Sequence, residues 1–344
     1  MPCQNYPMCH AFSWQPASLR RSGYWACLAL FAITLVHFWN MGDIRYLRIV
    51  QQPPLPHLPL TSNSTPSTSN EIPKLIWYKL GPMGLTRDTK KWTDTCIKGN
   101  PEYRASFLTD ETADEYVKDT YAARPDIVQY YLGLSIPILK ADMLRYLLLF
   151  DQGGIYSDLD VSCKGVPMDE WVPEQYKANA SVVVGWEFDM GFEEPIMMEF
   201  ESWTIMAKPH SRHMLQVIDD MIDAIEDTME KYNVSVGKIT LDMIGDVVDF
   251  SGPRRLTNGI LTSVQRQLNR RIEEEEIRKI YQPKLVADVL IMPAWSFAAS
   301  QNRYQPGDEL KMPPKLVQHH YAGTWKNKHG GETLPQVTAR PAAR

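Results

Sequence analysis

One unbroken stretch, from Lys140 through Arg145, Gly153-Gly154 and Tyr156 to Asp160, constrains this chain more than any other. Leu139, Met143, Leu144, Leu147 and Leu148 recur at helical spacing and predict a helix with one apolar face. Gly153 and Gly154 stop that helix, because glycine adopts the left-handed conformation a C-terminal cap needs. From Ile155 to Val161 a period of two predicts a strand, with Ile155, Ser157, Leu159 and Val161 on one face. Tyr156, Asp158 and Asp160 share the other face. Two adjacent carboxylates repel unless a cation stands between them, and hard oxygen donors suit Mg²⁺ or Mn²⁺. Asp142 and Arg145 lie three apart and project from one side of the helix. An acid, a base and a carboxylate pair thus reach one end of a small α/β unit, a site for a metal-bound, phosphate-bearing ligand.

Strands and helices alternate around this unit. Lys74 to Tyr78 and Tyr103 to Leu108 read as strands, and Ser181 to Gly185 as another. Asp88 to Ile97 reads as a helix; so does Thr109 to Lys118, with Thr109 as its cap and Glu111 and Asp114 in its first turns. Such alternation implies a mostly parallel central sheet covered by helices, with ligands beyond the carboxyl ends of the strands, where Asp158 and Asp160 fall. Farther on, Met214, Leu215, Ile218, Met221, Ile222 and Ile225 form a core-facing helical stripe. The segment Arg270 to Lys279, with four successive glutamates, reads as a solvated helical surface.

The net charge of -5 argues against a nucleic-acid partner, which calls for a basic stripe. Five cysteines without a Cys-x-x-Cys pair argue against a structural zinc site. Of these only Cys96 and Cys163 fall in the globular part, where one disulfide and two separate buried thiols both fit the sequence. The run 23–41 carries no acid, Lys or Arg, and with Arg20 and Arg21 before it reads as a single membrane-spanning anchor. Phe38-Trp39 suits a membrane interface, and no small-residue cleavage site follows. The expected organisation is a tail at 1–22, the anchor at 23–41, a Pro/Ser/Thr-rich stem at 42–71, a globular domain at 72–330 and a flexible tail at 331–344. Flanking charge leaves the orientation open, because Arg45 and Arg48 offset Arg20 and Arg21. Asn63, Asn179 and Asn233 begin N-glycosylation triplets, compatible with lumenal exposure.

Asp-x-Asp alone also fits a solvated strand end, but the surrounding string is more specific. Ala141-Asp142 with Arg145-Tyr146, then Gly153 to Tyr156, then Asp158 and Asp160 resemble glycosyltransferase family 32, the sugar transferases with an Asp-x-Asp signature. Ile72 to Trp77, Trp92, Asn100-Pro101, Val182 to Glu187, Ser251 to Pro253 and His319 to Trp325 extend the resemblance toward the fungal initiation-specific alpha-1,6-mannosyltransferase branch, from about Ile72 to Lys326. The resemblance implies a single Rossmann-like nucleotide-sugar transferase domain (GT-A type) with helical additions behind an N-terminal transmembrane helix. It further implies a type II protein of the Golgi or endoplasmic reticulum membrane, with the catalytic domain lumenal. The implied activity is metal-dependent, retaining transfer of a sugar, foremost mannose from GDP-mannose, to a glycan or glycolipid acceptor.

Roles follow from the same resemblance. Asp160 and Asp158 hold Mn²⁺ or Mg²⁺, with Asp158 shared with the donor's hydroxyls. The string His320-x-x-Gly323-x-x-Lys326 is similar to one in another retaining sugar-transferase family, which implies that His320, with His319 as the alternative, gives an imidazole and Lys326 meets the diphosphate. Asp142 and Arg145 grip the donor's sugar, with Tyr156 beside them; Trp77 stacks on the nucleobase and Trp325 closes over the donor. Glu187 and Asp189, just past a buried strand, face the acceptor or the reacting sugar. No obvious nucleophile is present, which favours same-face attack. Nothing in the residues selects guanine over uracil, so a UDP-sugar donor, or a lipid or small-metabolite acceptor, is the alternative. An aspartyl-nucleophile phosphatase is a distant rival: Asp158-Leu-Asp160 lacks the long apolar strand such enzymes place before the first aspartate, and Asp219-Asp220 falls within a helix.

Overall fold

A computed structural model describes residues 71–192 and 198–332. The expected anchor at 23–41, nearly all of the stem, Asn63 and most of the tail lie outside the described residues. Among those described, no helix is long and apolar enough to cross a membrane.

The strands are β1 (Leu75–Lys79), β2 (Arg104–Leu108), β3 (Gly154–Ser157), β4 (Val161–Cys163), β5 (Val182–Gly185), β6 (Thr204–Ala207), β7 (Lys284–Val286), β8 (Val289–Met292) and β9 (Val317–His319). Seven form one sheet in the order β2-β1-β3-β6-β5-β8-β7, while β4 and β9 pair separately. Five strands of the large sheet run the same way, and β6 and β7 run against them. The reversal of β6 matters for the site. Its first residue, Thr204, pairs with Ser157, the last residue of β3, so the chain entering β6 arrives where β3 ends.

The longer helices are α1 (Arg87–Gly99), α2 (Asp110–Thr120), α3 (Pro125–Gly133), α4 (Pro137–Asp151), α5 (Arg212–Tyr232) and α6 (Pro253–Leu268). Thr86 and Thr109 cap α1 and α2, each accepting from the amide three residues on. One sheet face, with Trp77, Tyr156 and Val184, packs against α4, α5 and α6; Ile76, Tyr78 and Ile155 on the other face pack with Cys96, Trp171 and Phe297. The stripe on α5 is buried as expected, apart from half-buried Leu215.

Three local expectations change. Helix α4 is buried on nearly every side rather than one, because α2, α3 and α5 surround it against the sheet. The strand after it stops at Ser157; residues 158–160 form a turn, and β4 starts a second sheet. The acidic segment at 270–279 is mostly irregular, with one short helix at Glu274–Ile277. Gly153 and Gly154 both have positive φ as predicted (67° and 96°), and a Cβ on Gly154 would stand 2.8 Å from the Leu75 carbonyl oxygen.

Cys96 and Cys163 form a disulfide. It ties α1 to β4, and β4 holds β9 in register, with Val161 opposite His319.

Candidate metal and nucleotide-sugar site

Asp158 and Asp160 sit on the turn between β3 and β4, at the carboxyl edge of the sheet. Their convergence comes from that turn, closed by Val161 N–H donating to the Asp158 carbonyl at 3.2 Å, and not from strand alternation. One ligand atom each from Asp158, Asp160 and His319 lies within 4.8 Å of the others. The imidazole in this group is His319 rather than the expected His320. His320 turns away to stack on Trp92 at 4.2 Å and to share a 2.8 Å hydrogen bond between Nε2 and Ser162 Oγ. The physical reason is β9: successive side chains of a strand point to opposite faces, so only one of two neighbouring histidines can face the turn.

Asp160 organises the C-terminal turn. Its Oδ1 lies 3.2 Å from His319 Nε2, its Oδ2 accepts from Ala322 N–H at 2.8 Å, and its carbonyl accepts from His320 N–H at 2.8 Å. Between them Tyr321 takes φ = 51°, uncommon for a bulky residue and the geometry that turns the next amide toward the carboxylate. Burial raises the Asp160 pKa, but the His319 and Ala322 hydrogen bonds outweigh it, so the group stays below the usual carboxylate range. Asp158 moves the other way: burial and the neighbouring Asp160 charge raise it, against the pull of Arg145. The buried Nδ1 of His319 has no hydrogen-bond partner among the described residues. Two carboxylates and an imidazole with a spare nitrogen fit a divalent cation of borderline character.

Beneath the acidic turn lies Arg145, almost fully buried. Its Nη2 sits 2.7 Å from Asp142 Oδ1 and 3.6 Å from Asp158 Oδ1, Nη1 donates to the Ser202 carbonyl, and the guanidinium lies 4.7 Å from the Tyr156 ring centre. Asp142 is equally buried, and its Oδ2 accepts from Ser251 Oγ at 2.6 Å. Both oxygens of Asp142 are thus engaged within the protein; in this structure it holds Arg145 rather than facing a donor. Tyr156 is likewise a buried core ring that supports Arg145.

Trp77 is core, only 3% exposed, with Nε1 donating to the Gly153 carbonyl at 2.8 Å, and no face is open to a nucleobase. Trp325 is half-buried and Lys326 exposed, 5.6 Å from the Trp325 ring centre. Glu187, two residues past the end of β5, is half-buried; burial, then the Glu199 carboxylate, push its pKa up to about 8, with Lys326 opposing. Asp189 is a structural carboxylate, buried, accepting from Lys279 N–H at 2.8 Å and so pinning the 278–280 loop rather than facing an acceptor. Asn179 and Asn233 are exposed. Asp219, on α5, engages Arg124 and is no partner for Asp158 as a phosphatase would need.

Two site residues escape sequence reasoning. Trp203 stacks on His319 at 4.2 Å and 18°, and its carbonyl accepts from Asp158 N–H at 2.9 Å. Glu201 lies fully buried behind it. The string Glu201-Ser-Trp203 has no spacing that announces chemistry; only the reversed β6 brings it to the site. Ser251, in the string Ser251-Gly-Pro253, reaches the site through its hydroxyl's hydrogen bond to Asp142.

The family profile described as "Glycosyltransferase sugar-binding region containing DXD motif" matches residues 86–178. The initiation-specific alpha-1,6-mannosyltransferase of Schizosaccharomyces pombe is 30% identical over 269 residues, covering 75% of this chain and 64% of that protein. This chain therefore spans slightly less than two thirds of that relative. The Candida albicans protein of the same name is 29% identical over 286 residues, covering 75% of this chain and 73% of its own. The Schizosaccharomyces pombe inositol phosphoceramide mannosyltransferase 2 is 31% identical over 129 residues, 36% of either chain. Asp142, Arg145, Asp158 and Asp160 all fall inside the match to the profile of DXD-containing glycosyltransferase sugar-binding regions, and the likeness to the Schizosaccharomyces pombe mannosyltransferase runs on well past it.

Proposed function

We propose that this chain is a metal-dependent retaining glycosyltransferase that moves mannose from GDP-mannose to a glycan acceptor, as an alpha-1,6-mannosyltransferase of the secretory pathway. The observation that carries the reading is the convergence of Asp158, Asp160 and His319 at the edge of the sheet. Those three residues would hold Mn²⁺, or Mg²⁺, and the chemistry such a cation supplies is Lewis-acid neutralisation of charge on a departing diphosphate. The names of the relatives support mannose as the sugar and an alpha-1,6 linkage.

The chain's own groups have definable work. Arg145 is held by Asp142, Ser202 and Tyr156, so its charge opposes Asp158 without searching rotamers. Lys326, exposed at the end of the C-terminal turn, is free to meet phosphate oxygens. Glu187 stands on the same side as Lys326 and keeps its proton at neutral pH, suited to a hydrogen bond with a sugar or acceptor hydroxyl. Same-face attack, with the leaving phosphate taking the acceptor's proton, needs no enzymic nucleophile. A Golgi or endoplasmic reticulum location and a type II anchor at 23–41 complete the reading.

A second reading keeps the same site and replaces the glycan by a glycolipid acceptor, favoured by the likeness to an inositol phosphoceramide mannosyltransferase. The test is to incubate the full chain with Mn²⁺ and a panel of GDP- and UDP-sugars, then with glycan and glycolipid acceptors. GDP-mannose hydrolysis is expected, abolished by EDTA and by Asp160→Asn. Full turnover by Asp160→Asn would overturn the metal assignment, and hydrolysis of UDP-sugars alone the donor.

A further inference from the structure

We propose that Glu201 is a positioning residue that sets Arg145, Asp158 and His319 in register through one buried turn. The inference rests on the metal-site reading above. The Glu201 amide donates to the Gly185 carbonyl at 2.9 Å, tying the turn to the end of β5. Its carboxyl Oε2 accepts from Thr204 N–H at 2.8 Å, closing the turn over Ser202 and Trp203 at the start of β6. The backbone carbonyls of both residues are spent on the site. The Ser202 carbonyl takes the Arg145 Nη1 donor, and the Trp203 carbonyl takes the Asp158 amide at 2.9 Å. The Trp203 ring lies flat on His319, its far edge fixed by Nε1 donating to the Phe297 carbonyl at 3.3 Å.

Three residues from three elements therefore depend on one turn, and that turn is held by a side chain with no exposure to solvent. A buried carboxyl is a costly way to close a turn unless geometry is what it secures. The side chain acts as a hydrogen-bond acceptor of fixed length, so glutamine, which keeps the same reach and an acceptor oxygen, replaces it. Aspartate, one methylene shorter, does not reach Thr204, and leucine offers no acceptor at all.

The experiment uses the full chain labelled with ¹⁵N-histidine. The His319 ring resonance, identified by its loss in His319→Gln, reports the Trp203 stack directly. Mn²⁺ affinity is measured by calorimetry alongside. In Glu201→Gln the resonance and the affinity match the wild type; in Glu201→Asp and Glu201→Leu the resonance moves and Mn²⁺ binding weakens by about tenfold or more. Should Glu201→Leu not fold, the Asp and Gln pair decides. Wild-type behaviour of Glu201→Asp overturns the proposal, and so does a Gln variant that shifts as far as Asp, since charge rather than reach would then be what counts. If the wild type binds no divalent cation, the metal reading fails, and the His319 resonance alone decides the role of Glu201.

Discussion

The disulfide allows the sharpest test of how the scaffold supports the site. Cys96 and Cys163 are 67 residues apart, and a cross-link closing a loop of that length removes unfolded-state entropy equivalent to about 4 kcal/mol. The double variant Cys96→Ala, Cys163→Ala is expected to lose about that much in a urea titration followed by circular dichroism, with the slope used to detect any change in the unfolded ensemble. The loss is not spread evenly. Cys163 ends β4, whose only strand partner among the described residues is β9, and β9 carries His319. Without the disulfide, β4 is held on α1 by the Cys163 amide's 2.8 Å hydrogen bond to Thr95 Oγ and by packing. The β4–β9 ribbon then loosens, and the His319 imidazole is readily displaced. Saturating Mn²⁺ is accordingly expected to return part of the loss, about 2.7 kcal/mol at a hundredfold excess over its Kd if the ion binds only the folded chain. A loss below about 1 kcal/mol would refute the loop argument. A full loss with unchanged Mn²⁺ affinity would refute the claim that the ribbon carries the site.

Glu187→Gln tests the raised carboxyl. Wild-type Glu187 keeps its proton up to a pH of about 8 when folded and only to about 4.5 when unfolded, so its contribution to stability falls as pH rises through that window. The variant should therefore gain on the wild type between pH 5 and pH 9 in thermal melts, by on the order of 3 kcal/mol after allowing for partial exposure. Equal melting curves at both pH values would show that Glu187 titrates normally. Arg145→Met should cost about 3–5 kcal/mol in denaturant unfolding, because it leaves the Asp142 carboxylate buried without its cation. Adding Asp142→Asn should recover a large part of that stability without recovering activity; strict additivity of the two changes would count against the pairing.

Local sequence made the first half of the site legible because it is local. Helix α4, the two glycines and the acidic turn are contiguous, and each is announced by a residue type with few alternatives: leucines at helical spacing, glycine at positive φ, paired aspartates. Local pattern is uninformative where the chain bends or folds back. Period-two alternation cannot show that β3 ends at Ser157, because Leu159 and Val161 continue the apolar pattern across a turn. Choosing between His319 and His320 requires the register of β9 on β4, set by residues far away in sequence. Trp77 is ambiguous for a related reason: an aromatic at a strand end reads the same whether it faces a cleft or, as here, the core.

The deeper reason lies in the reversed strand. In a wholly parallel sheet every loop at the carboxyl edge follows a strand, and candidate residues can be sought just after each apolar run. Asp158 and Glu187 obey that rule. Glu201, Ser202 and Trp203 stand before a strand, and they reach the same edge only because β6 runs against β3 and β5. That inversion places backbone carbonyls, rather than another row of side chains, beside Arg145 and Asp158. A carbonyl can fix the guanidinium and the turn amide without adding charge to a site already crowded with carboxylates. The acidic pair is therefore kept close by neutral backbone groups and one buried arginine, with one oxygen of each carboxylate and one His319 nitrogen lying within 4.8 Å of one another.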